Sequence, residues 1–391
     1  MKKKYIDPYL LGTFFLLMLL GIIMVYSASA FYARQYKVDH LYFLKRHLAW
    51  LFLGLIAMGI AYSFPFKKLQ GYTAIPLLFG VALLFYAGVI LHGRWVFFGP
   101  IHFQAVDAAK FTLILFFADS ISRKEKFMHR YADGLFPHLV YLMLFAGLVL
   151  LQPDFSSAFM LILIGVTMLF VAPVRIQHLL LTGAACIPPL IVVVLLSPYK
   201  MQRVMSFFHP EADLKGAGYQ VYQSLVSLGT GGITGVGFAR STQKMFFLPE
   251  AHTDFIFAII GEELGLFGTL LVITLFGIIV VRGISVALRT SDKFTMYLTV
   301  GIVVHFALYA LINMMVTLRL VPATGLPLPF ISYGGTALLF SCVYAGMLLR
   351  FANENPPGKK RRSSSRATVY SWRNTRGGKR PGSRTTRRKK R

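Results

Sequence analysis

The chain has 391 residues, of which 56% are hydrophobic and only 14% are charged. Soluble domains carry about 25% charged residues, so this composition excludes an ordinary soluble domain and predicts a polytopic, all-α membrane protein. The two cysteines, Cys186 and Cys342, both lie in apolar runs, which argues against a disulfide framework or a cysteine metal site. The formal net charge of +26 is uneven, because residues 351–391 hold fifteen Lys and Arg residues against one Glu.

Ten apolar segments approach or exceed the roughly 20 residues that cross a bilayer. The first ends in Ala28-Ser29-Ala30, which resembles a signal-peptidase site. It is longer than a signal core of about 7–15 residues and further spans follow, so an uncleaved first span is favoured over a cleaved signal. The predicted spans are 9–30, 47–64, 73–92, 105–121, 136–152, 155–172, 178–197, 254–282, 295–317 and 331–350.

Basic residues orient this predicted bundle, because cytoplasmic loops are enriched in Lys and Arg. Most basic loops and the tail lie on the N-terminal side, so both termini are predicted to be cytoplasmic; the first outer loop, with Arg34 and Lys37, breaks the pattern. The segments predicted to open outward are 93–104, 152–154, 198–252 and 321–330.

Two regions follow from this organisation: a membrane domain at 1–352 and a tail at 353–391. A loop at 198–252, between the seventh and eighth spans, is long enough to have a function or structure of its own. The tail is polybasic and nearly devoid of apolar residues, so it is predicted to be disordered. A basic segment beside a bilayer is typical of anionic-lipid contact, which is favoured over nucleic-acid binding.

Acidic residues gather where the eighth span begins. A polar segment ends at Asp254, and a helix predicted from Phe255 carries Glu262 and Glu263. Ionisable groups in a span are costly and are by default functional candidates. A helix N-terminus favours negative charge, which makes Asp254 a candidate general base. The alternative is a helix cap formed by Asp254 or the preceding Thr253.

Helix geometry separates these carboxylates. Eight residues of continuous helix place Asp254 and Glu262 roughly 12 Å apart along the axis and roughly 80° apart around it. Two carboxylates that act on one glycosidic bond lie roughly 5–9.5 Å apart. We therefore expect Asp254 at the water boundary and Glu262 in a separate polar feature deeper in the bundle.

The outward segments supply cations and flexible backbone. Glycines at 216–218, 229–232 and 235–237 could bring backbone N–H groups to a phosphate, or could form turns only. The prolines of segment 322–333 forbid a continuous helix, so this segment is predicted to line the outward cavity. Cations on this face would bind a diphosphate or pair with carboxylates; they are Arg94, Arg203, Arg240, Lys244 and, if it extends outward from its span, Lys110.

Two classes of function fit these residues. One is an enzyme that acts on a lipid-linked, phosphate-bearing substrate at the outer leaflet, and the other is a transporter or flippase. Transporters are often built from internal repeats, and the halves of this chain show no convincing repeat. The enzyme is therefore favoured.

Several motifs are specific to one family. Segments 248–257, 261–265 and 326–335, together with Gln152-Pro153-Asp154 and Gly218-Tyr219-Gln220, resemble the SEDS family (shape, elongation, division and sporulation) in order and spacing. The resemblance covers residues 1–352. Segment 258–263 is more similar to the division branch, FtsW, than to the elongation branch, RodA.

The resemblance implies a ten-span glycosyltransferase that polymerises lipid II at the outer face of the bacterial plasma membrane. It implies that the family's essential aspartate corresponds to Asp254, which would deprotonate the GlcNAc 4-hydroxyl of the acceptor. The oxygen would then attack the donor MurNAc and expel undecaprenyl diphosphate. Implied partners are a nascent glycan strand, a class B penicillin-binding protein and divisome proteins at the septum. An elongation polymerase and a lipid II flippase are the alternatives.

A divalent cation, Mg or Mn, is a candidate for balancing the diphosphate; no organic cofactor or nucleic acid is expected. In this chain Gln104–Lys110 lacks the proline that the family often has before the lysine, although Asp107 keeps a carboxylate. The predicted substrate-binding residues are Lys110, Arg94, Asp154, Arg203, Gln220, Lys244, His252, Glu262, Glu263 and Ser332.

Overall fold

The computed structural model is mostly helical. Its last helix ends at Glu354, two residues beyond the predicted end of the membrane domain, and the polybasic tail from residue 358 lies outside the described residues. The structure describes residues 6–35, 39–98, 101–152, 154–195, 197–208, 216–245 and 247–357.

Within these described ranges, twelve α-helices follow one another, with two paired strands between the third and the fourth. The helices are α1 Pro8–Gln35, α2 Tyr42–Ser63, α3 Ala74–Phe85, α4 Ala105–Lys124, α5 Phe136–Leu150, α6 Phe155–Val171, α7 Ile176–Leu195, α8 Pro198–Phe208, α9 Ala217–Gly231, α10 Ile256–Arg289, α11 Lys293–Thr317 and α12 Gly335–Glu354. The antiparallel strands are β1 Trp95–Phe98 and β2 Ile101–Gln104.

Each predicted span overlaps an α-helix of the structure, although the bounds differ by several residues in places. Among the described residues, six helices (α1, α2, α5 with its preceding turn, α10, α11 and α12) are long and apolar enough to cross a membrane. Two shorter apolar segments comprise α6 and α3 with its following turn. The polytopic helical membrane class is thus confirmed. The outward segments differ from plain loops, because 93–104 contains β1 and β2 and 198–252 contains α8 and α9.

Helix α4 is less apolar than its neighbours, and one oxygen of its buried Asp119 carboxylate, Oδ2, accepts from several donors. The carboxylate of Asp119 accepts from Thr73 Oγ1 at 2.6 Å and from the Gly71 N–H at 3.1 Å. It also pairs with Arg123 at 3.0 Å. Such pairing lowers the cost of carrying charge within a packed helix. Helix α4 packs on α3 and α11, and α12 packs along α2, where Gly346 faces the Met58 carbonyl so closely that a Cβ would lie 2.3 Å from it.

Helix α10 is broken. Its 34 residues would extend about 51 Å, well beyond the hydrocarbon thickness of roughly 30 Å. At Gly265 the backbone leaves the helical region, with φ 65° and ψ −157°. Residues 256–264 and 266–289 of α10 are therefore two separate helical segments.

The glycine-rich segment 232–237 inserts into this break. The N–H groups of Val236 and Gly237 donate to the carbonyls of Glu262 and Glu263 at 2.9 and 3.1 Å, while Leu266 N–H donates to the Gly232 carbonyl at 3.0 Å. Inserted groups of this kind are a recognised cause of sharp helix kinks. The N–H groups of Val236 and Gly237, which were candidates for a phosphate cradle, are thus engaged with the helix.

Candidate functional site

Asp254 is half-buried in a turn that immediately precedes α10. The helix begins at Ile256 and its N-cap is Phe255, whose side chain has no acceptor. Thr253 Oγ1 donates back to the carbonyl and carboxylate of Glu250, at 3.2 and 2.8 Å. The capping role considered for Thr253 is therefore replaced by a contact that closes the turn. We refer to residues 250–255 as the Asp254 turn.

Three consecutive carbonyls of the Asp254 turn accept hydrogen bonds from elsewhere in the bundle. The His252 carbonyl accepts from the Tyr333 N–H at 2.9 Å. The Thr253 carbonyl accepts from Ser332 Oγ at 2.5 Å, and the Asp254 carbonyl accepts from Asn313 Nδ2 at 2.8 Å. Backbone that is fixed in this way holds the attached carboxylate in a defined place. The Ser332 hydroxyl thus contacts the main chain of the turn.

The proline-containing segment 321–334 forms the wall opposite Asp254 and is non-helical, as its prolines predict. Gly325 has φ 72°, and a Cβ at this position would lie 3.2 Å from Asp254 Oδ2. Asn313 Nδ2 also donates to the Leu326 carbonyl at 2.8 Å, and Ser332 Oγ accepts from the Leu328 N–H at 2.8 Å. The wall and the turn are therefore fixed to the same two side chains.

His252 is buried among aromatic rings. Its ring centroid lies 4.8 Å from that of Phe43, 5.2 Å from Tyr32 and 5.7 Å from Tyr333. Burial lowers the pKa of His252 below its ordinary value of 6.5, and the nearby Glu250 carboxylate opposes this shift. A cavity of about 120 Å³ lies beside it, lined by Ala28, Tyr32, Lys244, Leu248, Pro249, Ala251 and His252.

Glu262 is buried and its carboxylate is surrounded by donors. Oε2 accepts from Ser227 Oγ at 2.9 Å and Ser241 Oγ at 2.5 Å. Oε1 accepts from the N–H and the hydroxyl of Thr242 at 2.8 and 3.0 Å, and from the Gln243 N–H at 3.4 Å. A carboxylate with this many donors fixes the loop to α10, and its lone pairs are largely occupied.

Glu263 forms a buried ion pair with Lys244 at 2.7 Å. Both of its oxygens also accept from Ser27 Oγ on α1, at 2.6 and 2.7 Å, and Lys244 Nζ donates to the same hydroxyl at 3.0 Å. Lys244, predicted from sequence to face a phosphate, is thus paired inside the protein.

Lys110 does not extend outward as the sequence suggested. Its side chain is only 5% exposed and pairs with Asp107 at 2.7 Å, one helical turn earlier on α4. It also donates to Tyr309 Oη at 2.5 Å, and Asp107 accepts from Thr336 Oγ1 at 2.7 Å. Asp107, on the same helix, pairs with the lysine inside the bundle, so the Lys110 side chain does not extend to the surface.

Asp154 is the N-cap of α6, where it accepts from the N–H and the hydroxyl of Ser157 at 3.1 and 2.8 Å. Gln220 lies half-buried on α9. Arg94 is exposed in the bend before β1, and Arg240 is exposed in the loop. The side chain of Arg203 and the residue Pro153 lie outside the described residues. Two predicted cations, Lys110 and Lys244, are therefore buried in ion pairs, whereas Arg94 and Arg240 are exposed.

Sequence reasoning missed the residues that hold the site together, namely Asn313, Gly325, Tyr333 and Ser27. Asn313 carried a usable signal, because an amide inside an apolar helix needs partners. Ser27 carried none, since a serine in the first span resembles many that bond only to their own helix.

The described residues contain no group of three or more His, Cys, Asp or Glu side chains that could hold a metal ion. The side chains around Asp254 therefore do not fit a metal centre built from the protein alone, and we derive no step through a metal.

The fold and the site are those of a polytopic helical membrane protein in which the half-buried Asp254 carboxylate immediately precedes a broken helix. The sequence model of the family described as cell cycle protein, which comprises FtsW, RodA and SpoVE, matches residues 8–356. The chain belongs to this family, which confirms the predicted resemblance.

Relatives and solved structures agree with this membership. The chain is 38% identical over 341 residues to the probable peptidoglycan glycosyltransferase FtsW of Trichlorobacter lovleyi, covering 85% of this chain and 89% of that protein. It is 38% identical to the protein of the same name from Coxiella burnetii over 349 residues, covering 86% and 94%.

A solved peptidoglycan synthase complex that coordinates polymerization and crosslinking contains a chain with 25% identity and a TM-score of 0.73, covering 89% of this chain and 98% of that one. The rod shape determining protein RodA of Thermus thermophilus shares the fold, with a TM-score of 0.65 at 23% identity, covering 89% and 97%.

Proposed function

We propose that this chain is a peptidoglycan glycosyltransferase that polymerises lipid II into glycan strands at the outer face of the plasma membrane, in septal synthesis. The observation that carries the proposal is the immobilised Asp254 turn, in a chain whose relatives are named probable peptidoglycan glycosyltransferase FtsW.

Asp254 acts as the general base. It accepts the proton of the acceptor's GlcNAc 4-hydroxyl as that oxygen attacks the anomeric carbon of the donor MurNAc. The bond from that carbon to the diphosphate oxygen breaks, and undecaprenyl diphosphate leaves with the electron pair. A diphosphate is a good leaving group, so no second carboxylic acid is required. This agrees with Glu262 and Glu263 being engaged in internal contacts.

Ten helices cross the membrane with both termini cytoplasmic. Support comes from α10, where Arg282 pairs with Asp7 near the start of α1. From Leu266, just after the break, to Arg282 there are 16 residues, or about 24 Å of unbroken helix, which spans most of a hydrocarbon layer roughly 30 Å thick. Glu262 and Glu263 then lie at the outer boundary rather than deep in the bilayer, and Asp254 lies beyond them in the wet region where lipid-linked sugars are exposed.

The diphosphate is held by outward-facing cations, with Arg94 and Arg240 as the exposed candidates. A class B penicillin-binding protein crosslinks the strands; support comes from the similar chain in a complex that coordinates polymerization and crosslinking. The polybasic tail contacts anionic lipids of the inner leaflet, and divisome proteins place the enzyme at the septum.

The test is polymerisation of labelled lipid II by the purified protein with its cognate transpeptidase, comparing wild type with Asp254→Asn. The exposed carboxylate of Glu250, in the same turn, provides the matched control Glu250→Gln, in which the amide oxygen can still accept from Thr253 Oγ1. We expect strands from wild type and the control, and at least a ~10²-fold loss in Asp254→Asn because the base is gone.

Strands formed at the wild-type rate by Asp254→Asn would support the glycosyltransferase activity but would show that Asp254 is not the general base. No strands from any form, together with lipid II translocation in liposomes, would replace the enzyme with a flippase.

A further inference from the structure

Lys244, in the loop before the Asp254 turn, and Glu263, in segment 256–264 of α10, join these two parts of the chain. Their side chains are 6% and 0% exposed, and the ammonium lies 2.7 Å from the carboxylate. The Ser27 hydroxyl contacts both and adds α1 to the same junction. A lysine in this position must leave a buried carboxylate unpaired before it can reach a phosphate, which is strongly unfavourable.

The neighbouring residue strengthens the same junction. Glu262 accepts from Ser241, Thr242 and Gln243, the three residues that precede Lys244. Two adjacent carboxylates of α10 therefore hold all four residues of segment 241–244. From Lys244 the chain runs ten residues to Asp254, which lies only eight residues before Glu262, and α10 begins between them at Ile256.

The break in α10 provides a further anchor for the loop, through segment 232–237. Segment 232–237 is hydrogen-bonded to the carbonyls of Glu262 and Glu263 on one side and to the N–H of Leu266 on the other. Both ends of the stretch that carries the Asp254 turn are thereby anchored to the same short piece of α10. A shift of this anchor changes the path of the turn without touching the substrate.

We propose that Lys244 and Glu263 are positioning residues that set the place of the Asp254 carboxylate, and that Lys244 is not a ligand of the substrate diphosphate. This inference rests on the proposed function. Loss of either partner leaves the other buried and unpaired and loosens the turn. Because a misplacement of about 1 Å can cost ~10²-fold in rate, the effect falls on kcat.

The experiment is a double-mutant cycle with Lys244→Met, Glu263→Gln and the double variant, assayed for lipid II polymerisation in complex with the transpeptidase. We expect each single variant to lose about 10- to 100-fold in kcat with KM within about threefold of wild type. We expect the double variant to be no worse than the worse single one, because residues acting as a unit are non-additive.

A phosphate-binding lysine gives a different pattern. Lys244→Met would then raise KM about tenfold or more, and Glu263→Gln would lower KM by releasing the ammonium toward the substrate. That result, with strands from wild type, would overturn the positioning proposal alone. No strands from wild type would overturn the proposed function, and this inference with it.

The chain offers a matched control in the Lys45–Asp39 pair, with a distance of 2.6 Å and side chains 66% and 43% exposed. Lys45→Met should leave kcat and KM unchanged, since exposed pairs contribute little. If the buried variants do not fold, Ser27→Ala removes only the hydroxyl contacts; a severalfold drop in kcat at constant KM supports the proposal, and unchanged kcat contradicts it.

Discussion

The side-chain amide of Asn313 on α11 donates a hydrogen bond to the main-chain carbonyl of Asp254 at 2.8 Å. The same nitrogen donates to the Leu326 carbonyl, also at 2.8 Å. One amide group thus links the Asp254 turn to the wall that faces it and fixes the spacing between them. The site is formed by three chain segments that are remote in sequence, and Asn313 joins them.

Asn313→Leu should impair both folding and activity. The change leaves two carbonyls without this donor, at a cost of about 1–3 kcal/mol for each that stays buried. We expect a lower melting temperature and a fall in kcat of about tenfold or more, measured by thermal denaturation and lipid II polymerisation. Thr317→Val is the control, because this buried hydroxyl donates within its own helix. Equal kcat losses in both variants would contradict the role of Asn313.

Gly325→Ala should reduce activity more than it reduces stability. The backbone has φ 72°, and the added Cβ would lie 3.2 Å from Asp254 Oδ2, so the carboxylate must move. Gly71→Ala is matched in backbone, with φ 89°, but its Cβ meets nothing within 4 Å. Both changes carry a left-handed penalty of about 1–2 kcal/mol. We expect kcat to fall at least ~10-fold only in Gly325→Ala; comparable activities would show that the close approach is unimportant.

Gly235→Ala should prevent segment 232–237 from docking in the break of α10. Its Cβ would lie 2.2 Å from the Glu263 carbonyl oxygen, which the backbone cannot accommodate without moving. Gly232→Ala has a positive φ of 53° as well, but open space around the Cβ. We expect a large loss of folded protein in detergent for Gly235→Ala and a modest one for Gly232→Ala, measured by size-exclusion yield. Similar yields would argue against the insertion as a stabilising feature.

His252 should make stability fall as pH decreases below neutrality. Burial lowers its folded-state pKa from 6.5, so the unfolded chain binds the proton more readily in the window between the two values. Stability is therefore full above about pH 6.5 and is lost as pH falls toward the folded pKa. His252→Phe should reduce this slope in melting temperatures recorded from pH 7.5 to 5.5. Identical slopes in wild type and variant would contradict this assignment.

Local chemistry accounts for what sequence could predict. The positions of the apolar helices follow from hydrophobic runs, because hydrogen-bonded helix is the form in which an apolar chain can enter a bilayer. The non-helical segment 321–334 follows from its prolines, and the placement of Asp254 at the start of α10 follows from the change in polarity there.

Pairing between distant residues could not be predicted in the same way. The sequence marks Lys110 and Lys244 as cations on the outward side, yet each is buried against a carboxylate. A charge read along the chain has no partner until the helices pack, and only packing decides whether it meets Asp107, Glu263 or a substrate.

The membrane class, the helices, the family and the candidate base all follow from residue type and local order, so they could be predicted from the chain alone. Three features depend on packing: Glu262 and Glu263 anchor the loop, the glycine-rich segment 232–237 fills the break in α10, and Asn313 holds the Asp254 turn. The physical reason is that a hydrogen bond or ion pair needs both groups within about 3–4 Å, and the three-dimensional packing sets that distance.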